Sequence, residues 1–428
     1  MIAGVIGTFV GFILISVPVA FAIGAAAMIG LAAQGIPLTI MASRVFGGID
    51  SFTLLAIPFF IMAGDLLDTG GIARRLIKLA HALVGHIRGG LGMNVVVGEI
   101  FFSGISGSTT ADTAAIGSVM IPSMVKHGYT PERAAAIVCA ASGMGILVPP
   151  CLTMVIYGSL TNTSIAALFA AGFLPAFAMA AALMIQIYIE AYRSGVGGDR
   201  RASLRELLAA LRDASWALLM PVIIFAGILG GAFTPTEAAV VAAAYGLVVG
   251  MFIYREITWA HVWRIMVRTG VITGTVMLLM ATASILGWLL TVLRLPQAAI
   301  DAIQAVGGGK GAFLVISLVL CLGLFAVLDG LPAMVMVIPV FLPVGLRLGV
   351  EPLHFGILLT AVMGIALFLP PVGVALYVAA DIAQTSAAAI GRVLAPYLAT
   401  MLAVTVAIAF IPEIVYILPR WMGYHVPG

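Results

Sequence analysis

The chain has 428 residues, of which 63% are hydrophobic and only 9% charged, with 49 glycines and a net charge of +3. Soluble domains carry roughly 25% charged residues, so a soluble enzyme, a disulfide scaffold and a disordered tail are excluded. The small net charge says little, because membrane proteins place charge by side of the bilayer, and nothing points to nucleic acid.

Apolar runs of about 20 residues and more, separated by short charged patches, are what bilayer-spanning helices need. They predict an all-α polytopic membrane protein with segments at 2–15, 17–33, 53–67, 90–125, 133–160, 164–190, 215–233, 235–254, 269–293, 311–347, 353–380 and 387–418. The first Lys or Arg is Arg44, so the N-terminal run reads as a membrane helix rather than a signal peptide. Arg74, Arg75, Lys78 and Arg88 form a basic amphipathic stretch, expected to lie as a cytoplasmic arm against anionic headgroups. Segments 90–125 and 311–347 are too long for one helix. The first is interrupted at Ser106-Gly107-Ser108-Thr109-Thr110 and the second at Asp329-Gly330. Both read as re-entrant hairpins, since non-helical backbone at membrane depth needs protein or a cavity around it.

A shift of 221 residues pairs Pro122 with Pro343, Gly128 with Gly349, Pro131 with Pro352 and Gly143 with Gly364. It also pairs Pro149-Pro150 with Pro370-Pro371 and Pro175 with Pro396, without a gap. The chain therefore reads as two repeats, 1–190 and 215–428, joined by a cytoplasmic linker at 191–214. With loops 68–89, 126–132, 191–214 and 255–268 cytoplasmic, only Arg44, Arg294, Lys310, Arg347 and Arg420 of the 20 basic residues lie outside. The first hairpin then opens to the cytoplasm, the second to the periplasm, and both termini are periplasmic. The repeats are inverted, and inverted repeats with broken helices are the construction of secondary transporters.

Each half carries a helix interrupted at its double proline, in segments 133–160 and 353–380. Proline removes an amide donor and frees the carbonyl four residues earlier, here those of Gly145 and Ile146, and of Ala366 and Leu367. Such carbonyls can replace the hydration shell of a small cation; kinks that only shape packing are the plainer alternative. The tips add the hydroxyls of Ser106, Ser108 and Thr109 in the first half and the Asp329 carboxylate in the second. Ionisable residues within spans carry functional weight. Asp112 lies one turn past the first tip, where an inward role competes with helix-start electrostatics. Asp329 suits an ion site or gate. Thr234 and Glu237 read as a structural capping box, and the sequence leaves Asp381 undecided.

Other constellations carry less. Gly104-Ile105-Ser106-Gly107 matches the GxSG of intramembrane serine proteases, but a nucleophilic serine needs a base within reach. The six histidines (81, 86, 127, 261, 354 and 425) sit in or beside charged loops. Cys139, Cys151 and Cys321 lie in apolar runs and read as small core residues.

Taken together, Gly89–Gly92, Phe102–Ser108, Ile121-Pro122, Val148-Pro149-Pro150, Phe233–Ala239, Leu328-Asp329 with Pro332, Pro339–Pro343, His354-Phe355-Gly356 and Pro370–Gly373 resemble the large membrane subunit of tripartite ATP-independent periplasmic (TRAP) transporters over essentially the whole chain. The resemblance implies a non-enzymatic, elevator-type, Na⁺-coupled importer of organic acids in the bacterial inner membrane. It implies two partners, a small four-helix membrane subunit and a periplasmic substrate-binding protein. Carried over by position, one Na⁺ site involves Ser106, Ser108, Gly145, Val148 and Pro150, and a second Asp329, Gly330, Ala366 and Leu369. Ala366 and Leu369 depart from the Gly and Thr common in relatives, and Val362 from an Asn, so the second site rests mainly on backbone carbonyls. Ser103, Gly107, Thr109, Asp112, Pro149, Pro332 and Pro370 fall at the substrate site or its gates. No basic residue is expected near the tips, so Na⁺, hairpin amides and the hydroxyls of Ser106 and Thr109 must supply the positive field. A self-sufficient Na⁺–carboxylate symporter and a passive channel are the alternatives.

Overall fold

In hydrocarbon every backbone polar group must find a partner within its own segment, and the apolar runs of this chain do so as helices. The computed structural model describes every residue except Gly107, Val196, Val306, Asp329, His425, Pro427 and Gly428, and excludes the side chains of Ile105 and Ser106. The described residues form twenty α-helices and no strand. The chain opens with α1 (Ile2–Leu14), α2 (Val19–Ala33), α3 (Thr39–Gly47), α4 (Ala56–Thr69) and α5 (Ile72–Val84). Then come the helical hairpin α6 (Gly90–Ser106) and α7 (Thr109–Lys126), the interrupted helix α8 (Pro131–Gly145) and α9 (Leu152–Thr161), and the long α10 (Ile165–Ser194). The second half begins with α11 (Leu204–Leu229), α12 (Pro235–Val248), α13 (Trp259–Val292) and α14 (Leu295–Ala305). A second hairpin follows, α15 (Lys310–Val327) and α16 (Gly330–Arg347), then α17 (Pro352–Ala366) and α18 (Val374–Ala383), α19 (Ala387–Phe410) and α20 (Glu413–Trp421). Among the described residues, eight helices are long and apolar enough to cross a membrane.

The 221-residue shift carries α7 onto α16 and α8 onto α17 with both ends in register. After the double prolines the shift becomes 222, because α18 starts one residue later than α9 would place it. The gapless pairing of Pro175 with Pro396 is therefore one position off in the helices. The serine caps agree: Ser164 accepts from the Ala167 amide, and Ser386, 222 residues on, from the Ala389 amide. At the centre α8 crosses α17 at Gly143 and Gly364. A Cβ on Gly143 would lie 2.6 Å from the Gly364 carbonyl oxygen, and one on Gly364 2.1 Å from that of Gly143. Contact between equivalent residues in both directions is the mark of a twofold relation.

Around this centre, α4 packs on α12 and α13, α13 on α2, and α11 on α5. Several predicted boundaries move. α11 begins at Leu204, inside the predicted linker, because Ser203 and Glu206 form a reciprocal capping box. α13 begins at Trp259 behind the Thr258 cap, so Arg264 and Arg268 are helical rather than in a loop. The predicted segment 387–418 is two helices, broken at Ile411 (φ −120°, ψ 74°) before Pro412, where a following proline disfavours the helical region. The Thr234–Glu237 capping box forms as predicted, with the Thr234 amide donating to Glu237 Oε2 at 2.8 Å. Two residues of the basic arm are fastened to protein, while Lys78 and Arg88 stay exposed. Arg75 pairs with Glu256 at 2.9 Å and Asp213 at 3.5 Å and stacks on Tyr254, while Arg74 meets Glu256 at 3.1 Å. The three cysteines are buried and free.

Candidate functional site

The tip of the first hairpin, both helix interruptions and the second hairpin meet around one cavity of about 290 Å³. Ser108, Thr109, Thr110 and Ala111 contribute the tip, Ile146 and Pro150 the first break, and Leu331, Met363 and Leu367 the second half. Thr153 of α9 adds a hydroxyl. The opposite wall is α4 and α13, with Asp65 and Asp68 from the former and Arg268 from the latter. Arg268 Nη1 meets Asp65 Oδ1 at 3.3 Å. The expectation of no basic residue near the tips is thus corrected: the helix that Thr258 starts early carries Arg268 nearly three turns further, onto the cavity wall.

Behind the tip lies a buried polar cluster. The Ser103 hydroxyl is within bonding distance of two carboxylates, Glu99 Oε2 at 3.0 Å and Asp112 Oδ2 at 2.6 Å. Ser142 of α8 donates to the other oxygen of Glu99. All four residues are at most 1% exposed. α6 and α7 place the pair because Glu99 and Ser103 are one turn apart on one face, and the hairpin returns Asp112 to the same level. Gly145 makes room: a Cβ there would fall 2.1 Å from Ser103 Oγ and 3.5 Å from Glu99 Oε2. A hydroxyl has one hydrogen to donate, so Ser103 serves one carboxylate at a time. Two carboxylates this close and this buried call for a proton or a cation beside them.

The interruptions share one turn. In the first, the Val148 amide donates to the Gly145 carbonyl (2.8 Å) and that of Leu147 to Met144 (3.0 Å). In the second, Leu369 donates to Ala366 (3.0 Å) and Phe368 to Ile365 (3.2 Å), each residue 221 further on. The carbonyls of Gly145 and Ala366 are therefore not wholly freed, but each keeps a second lone pair. The peptide bonds Pro149-Pro150 and Pro370-Pro371 are both cis. The environments differ. Ile146 through Cys151 are buried, whereas Pro370, Pro371 and Val372 are exposed and Leu369 half-buried.

Of the residues assigned from sequence, Ser108, Thr109 and Pro150 line the cavity, and Ser103, Asp112 and Gly145 meet in the cluster behind it. Ser108 stands at the N-cap position of α7, and its hydroxyl lies 3.3 Å from that of Thr110. Val148 and Pro149 are buried beside them, and the Pro149 carbonyl faces Gly104. Gly330, at the start of α16, packs on Met363 of α17, and Ala366 ends α17. Pro332 is half-buried in α16. Gly107, Asp329 and the Ser106 side chain lie outside the described residues. Glu99, Asp65 and Asp68 were missed by the sequence reading, although Glu99 sits within Val95–Phe102, where a lone carboxylate is itself a signal. His354, expected beside a charged loop, is buried in α17 with Nε2 2.8 Å from the Ile408 carbonyl; its proximity to Glu351 in sequence hides that it faces inward.

The family model described as "Tripartite ATP-independent periplasmic transporter, DctM component" matches residues 6–414. The chain is 38% identical over 383 residues to the C4-dicarboxylate TRAP transporter large permease protein DctM of Pseudomonas aeruginosa, covering 90% of each chain. It is also 38% identical to the isethionate TRAP transporter permease protein DctMQ of Oleidesulfovibrio alaskensis, over 95% of this chain and 65% of that protein. In structure it is similar to the YdaH transporter of Alcanivorax borkumensis, with a TM-score of 0.66 and 16% identity, covering 89% of this chain and 90% of that one. The last likeness speaks to the fold alone.

Proposed function

The chain belongs to the DctM-component family of tripartite ATP-independent periplasmic transporters, and from that membership we propose that it is the transport subunit of a Na⁺-coupled, elevator-type importer of a small organic acid. A periplasmic binding protein delivers the acid, and a small four-helix membrane subunit braces the frame. The observation that carries this reading is the convergence of a hairpin tip and both helix breaks on one cavity, the arrangement that inverted-repeat secondary transporters use for substrate and coupling ions.

The coupling ion is cargo, and the residues suit it. At the first tip the Ser108 hydroxyl and the carbonyls of Gly145, Val148 and Pro150 offer oxygen ligands, with Asp112 tied in through Ser103. A cation there also offsets the charge of the Glu99–Asp112 pair, and so has a reason to bind before an anion does. At the second tip the carbonyls of Ala366 and Leu369 and the Asp329 carboxylate play the equivalent part. Ion binding orders the tips and completes an anion site between them. The hairpins and interrupted helices then move as one body against α1, α2, α4, α12 and α13.

The test is uptake by proteoliposomes containing the chain, its small subunit and its binding protein. Uptake should follow an imposed Na⁺ gradient without ATP, and this chain alone should transport nothing. Uptake by the chain alone overturns the tripartite reading, and uptake indifferent to Na⁺ overturns the coupling. Ser108→Ala should raise half-saturating Na⁺ by an amount equivalent to about 1 kcal/mol, the worth of one hydroxyl contact. Asp329→Asn should raise it by about 1–3 kcal/mol as a charge-assisted contact is lost. Unchanged values place the ion elsewhere.

A further inference from the structure

We propose that Arg268 is an anion handhold on the frame, which engages the substrate's acid group in the state seen here and loses it when the mobile body moves away. This rests on the elevator reading above. The cavity has two walls of different ownership. One is the first tip with the helix breaks, which move; the other is α4 and α13, which stay. A residue on the staying wall can touch a riding substrate in one end state only.

Three observations put an acid group between the walls. Arg268 is the sole basic side chain among the described residues that line the cavity, and it is 58% exposed while its partner Asp65 is 13% exposed. A guanidinium carries five donors in a fixed fork, and Asp65 meets it as an ion pair at 3.3 Å, so the fork is left to hydrogen-bond an oxyanion. Thr109 lines the same cavity, is 4% exposed, and its buried hydroxyl has no partner among the described residues. A buried hydroxyl left unpaired is costly, and an oxyanion held by Arg268 would satisfy it.

The charges nearby suit a handhold rather than a trap. Asp65 and Asp68 are three residues apart on one face of α4 and line the cavity beside Arg268. Their two carboxylates outweigh the single guanidinium, so an anion gripped by the fork is held weakly and released readily. Asp65 is a positioning residue here, fixing where the fork points.

The test uses the complete complex in proteoliposomes, with radiolabelled succinate and isethionate as probes. Half-saturating concentrations are measured from each face, by uptake through the binding protein and by exchange from preloaded vesicles. Arg268→Gln should raise the value at least tenfold on one face and leave the other within threefold. Arg268→Lys, which keeps the charge and loses the fork, should fall between. Asp65→Asn, which retains an acceptor for the guanidinium, should stay within threefold on both faces. Equal shifts on both faces, no shift, or an Asp65→Asn variant that matches Arg268→Gln would overturn the proposal while leaving the transport reading in place. A wild-type complex that transports no organic acid delivered by its binding protein overturns that reading, and the handhold with it.

Discussion

Gly364→Ala and Gly143→Ala should each destabilise the protein by about 3 kcal/mol, the upper part of the range for overpacking a filled core. The effect is large because the atoms in the way are backbone. A methyl on Gly364 would sit 2.1 Å from the Gly143 carbonyl oxygen, and one on Gly143 2.6 Å from that of Gly364. A flexible side chain could swing aside from such a contact. Here α8 and α17 must part instead, and every side chain packed along their crossing loses contact with them. The helix breaks lie only a few residues beyond the crossing, at Ile146 and Leu367, so parting the helices also displaces the cavity wall. Transport should fall with stability rather than independently of it. Gly274→Ala in α13 is the control: nothing lies within 4 Å of its Cβ position, and alanine is the better helix former by about 1 kcal/mol. Thermal unfolding of the purified chain in detergent reads all three. Wild-type melting of Gly364→Ala would mean that α8 and α17 do not cross in contact.

Much of this architecture is legible in the sequence because its punctuation is backbone chemistry. Glycine and proline act on the chain whatever surrounds them, so the spacing of Pro131, Gly143 and Pro149-Pro150 against Pro352, Gly364 and Pro370-Pro371 exposes the duplicated helices before any packing is known. The register slip after the double prolines is less visible. An added residue, seen at Val372-Gly373 before α18, is absorbed between elements, and one stray proline match in α19 hides it. Charge misleads in a related way. Arg264 and Arg268 look like a loop because charge rarely enters a span, yet the Thr258 cap starts the helix outside the apolar run and carries both along. On the cavity wall Arg268 pairs with Asp65 of α4, and that pairing is long-range. Glu99 is hidden differently. Its context is as apolar as its neighbours', and its partners are Ser103 one turn on, Asp112 across the hairpin and Ser142 from another helix. Local pattern can mark such a carboxylate as unusual; only the fold says what it faces.

The two helix breaks share a backbone plan and differ in surroundings. The first break is enclosed, with Ile146 to Cys151 buried, and the second leaves Pro370 to Val372 exposed. Enclosure matters for a cation site, since carbonyl dipoles and carboxylates act more strongly where water is excluded. Of the two proposed ion sites, the first, beside the buried carboxylates, should therefore bind Na⁺ the more tightly, and the second should be the one whose occupancy follows the surrounding Na⁺ concentration.

That enclosure sets up the second large effect, at Ser103. Ser103→Ala removes the one donor that Glu99 and Asp112 share and leaves the buried pair one hydrogen bond short, at a cost of about 2–3 kcal/mol. Glu99→Gln should be far milder. It removes one of two buried like charges, its amide can donate toward Ser103, and its oxygen still accepts from Ser142. A buried charge whose partner is deleted is costly, whereas neutralising the pair often is not. The double variant Glu99→Gln/Ser103→Ala should therefore be more stable than Ser103→Ala alone, a non-additivity of at least 1 kcal/mol in the double-mutant cycle. Transport should order the variants differently. Glu99→Gln removes charge that a cation at the first tip would offset, so its half-saturating Na⁺ should rise while its melting temperature holds. Thermal unfolding of the purified chain, alongside Na⁺-dependent uptake in the reconstituted complex, gives both readings. Additive stabilities would mean that Ser103 does not mediate between the two acids, and unchanged Na⁺ activation in Glu99→Gln would separate the buried pair from the ion site.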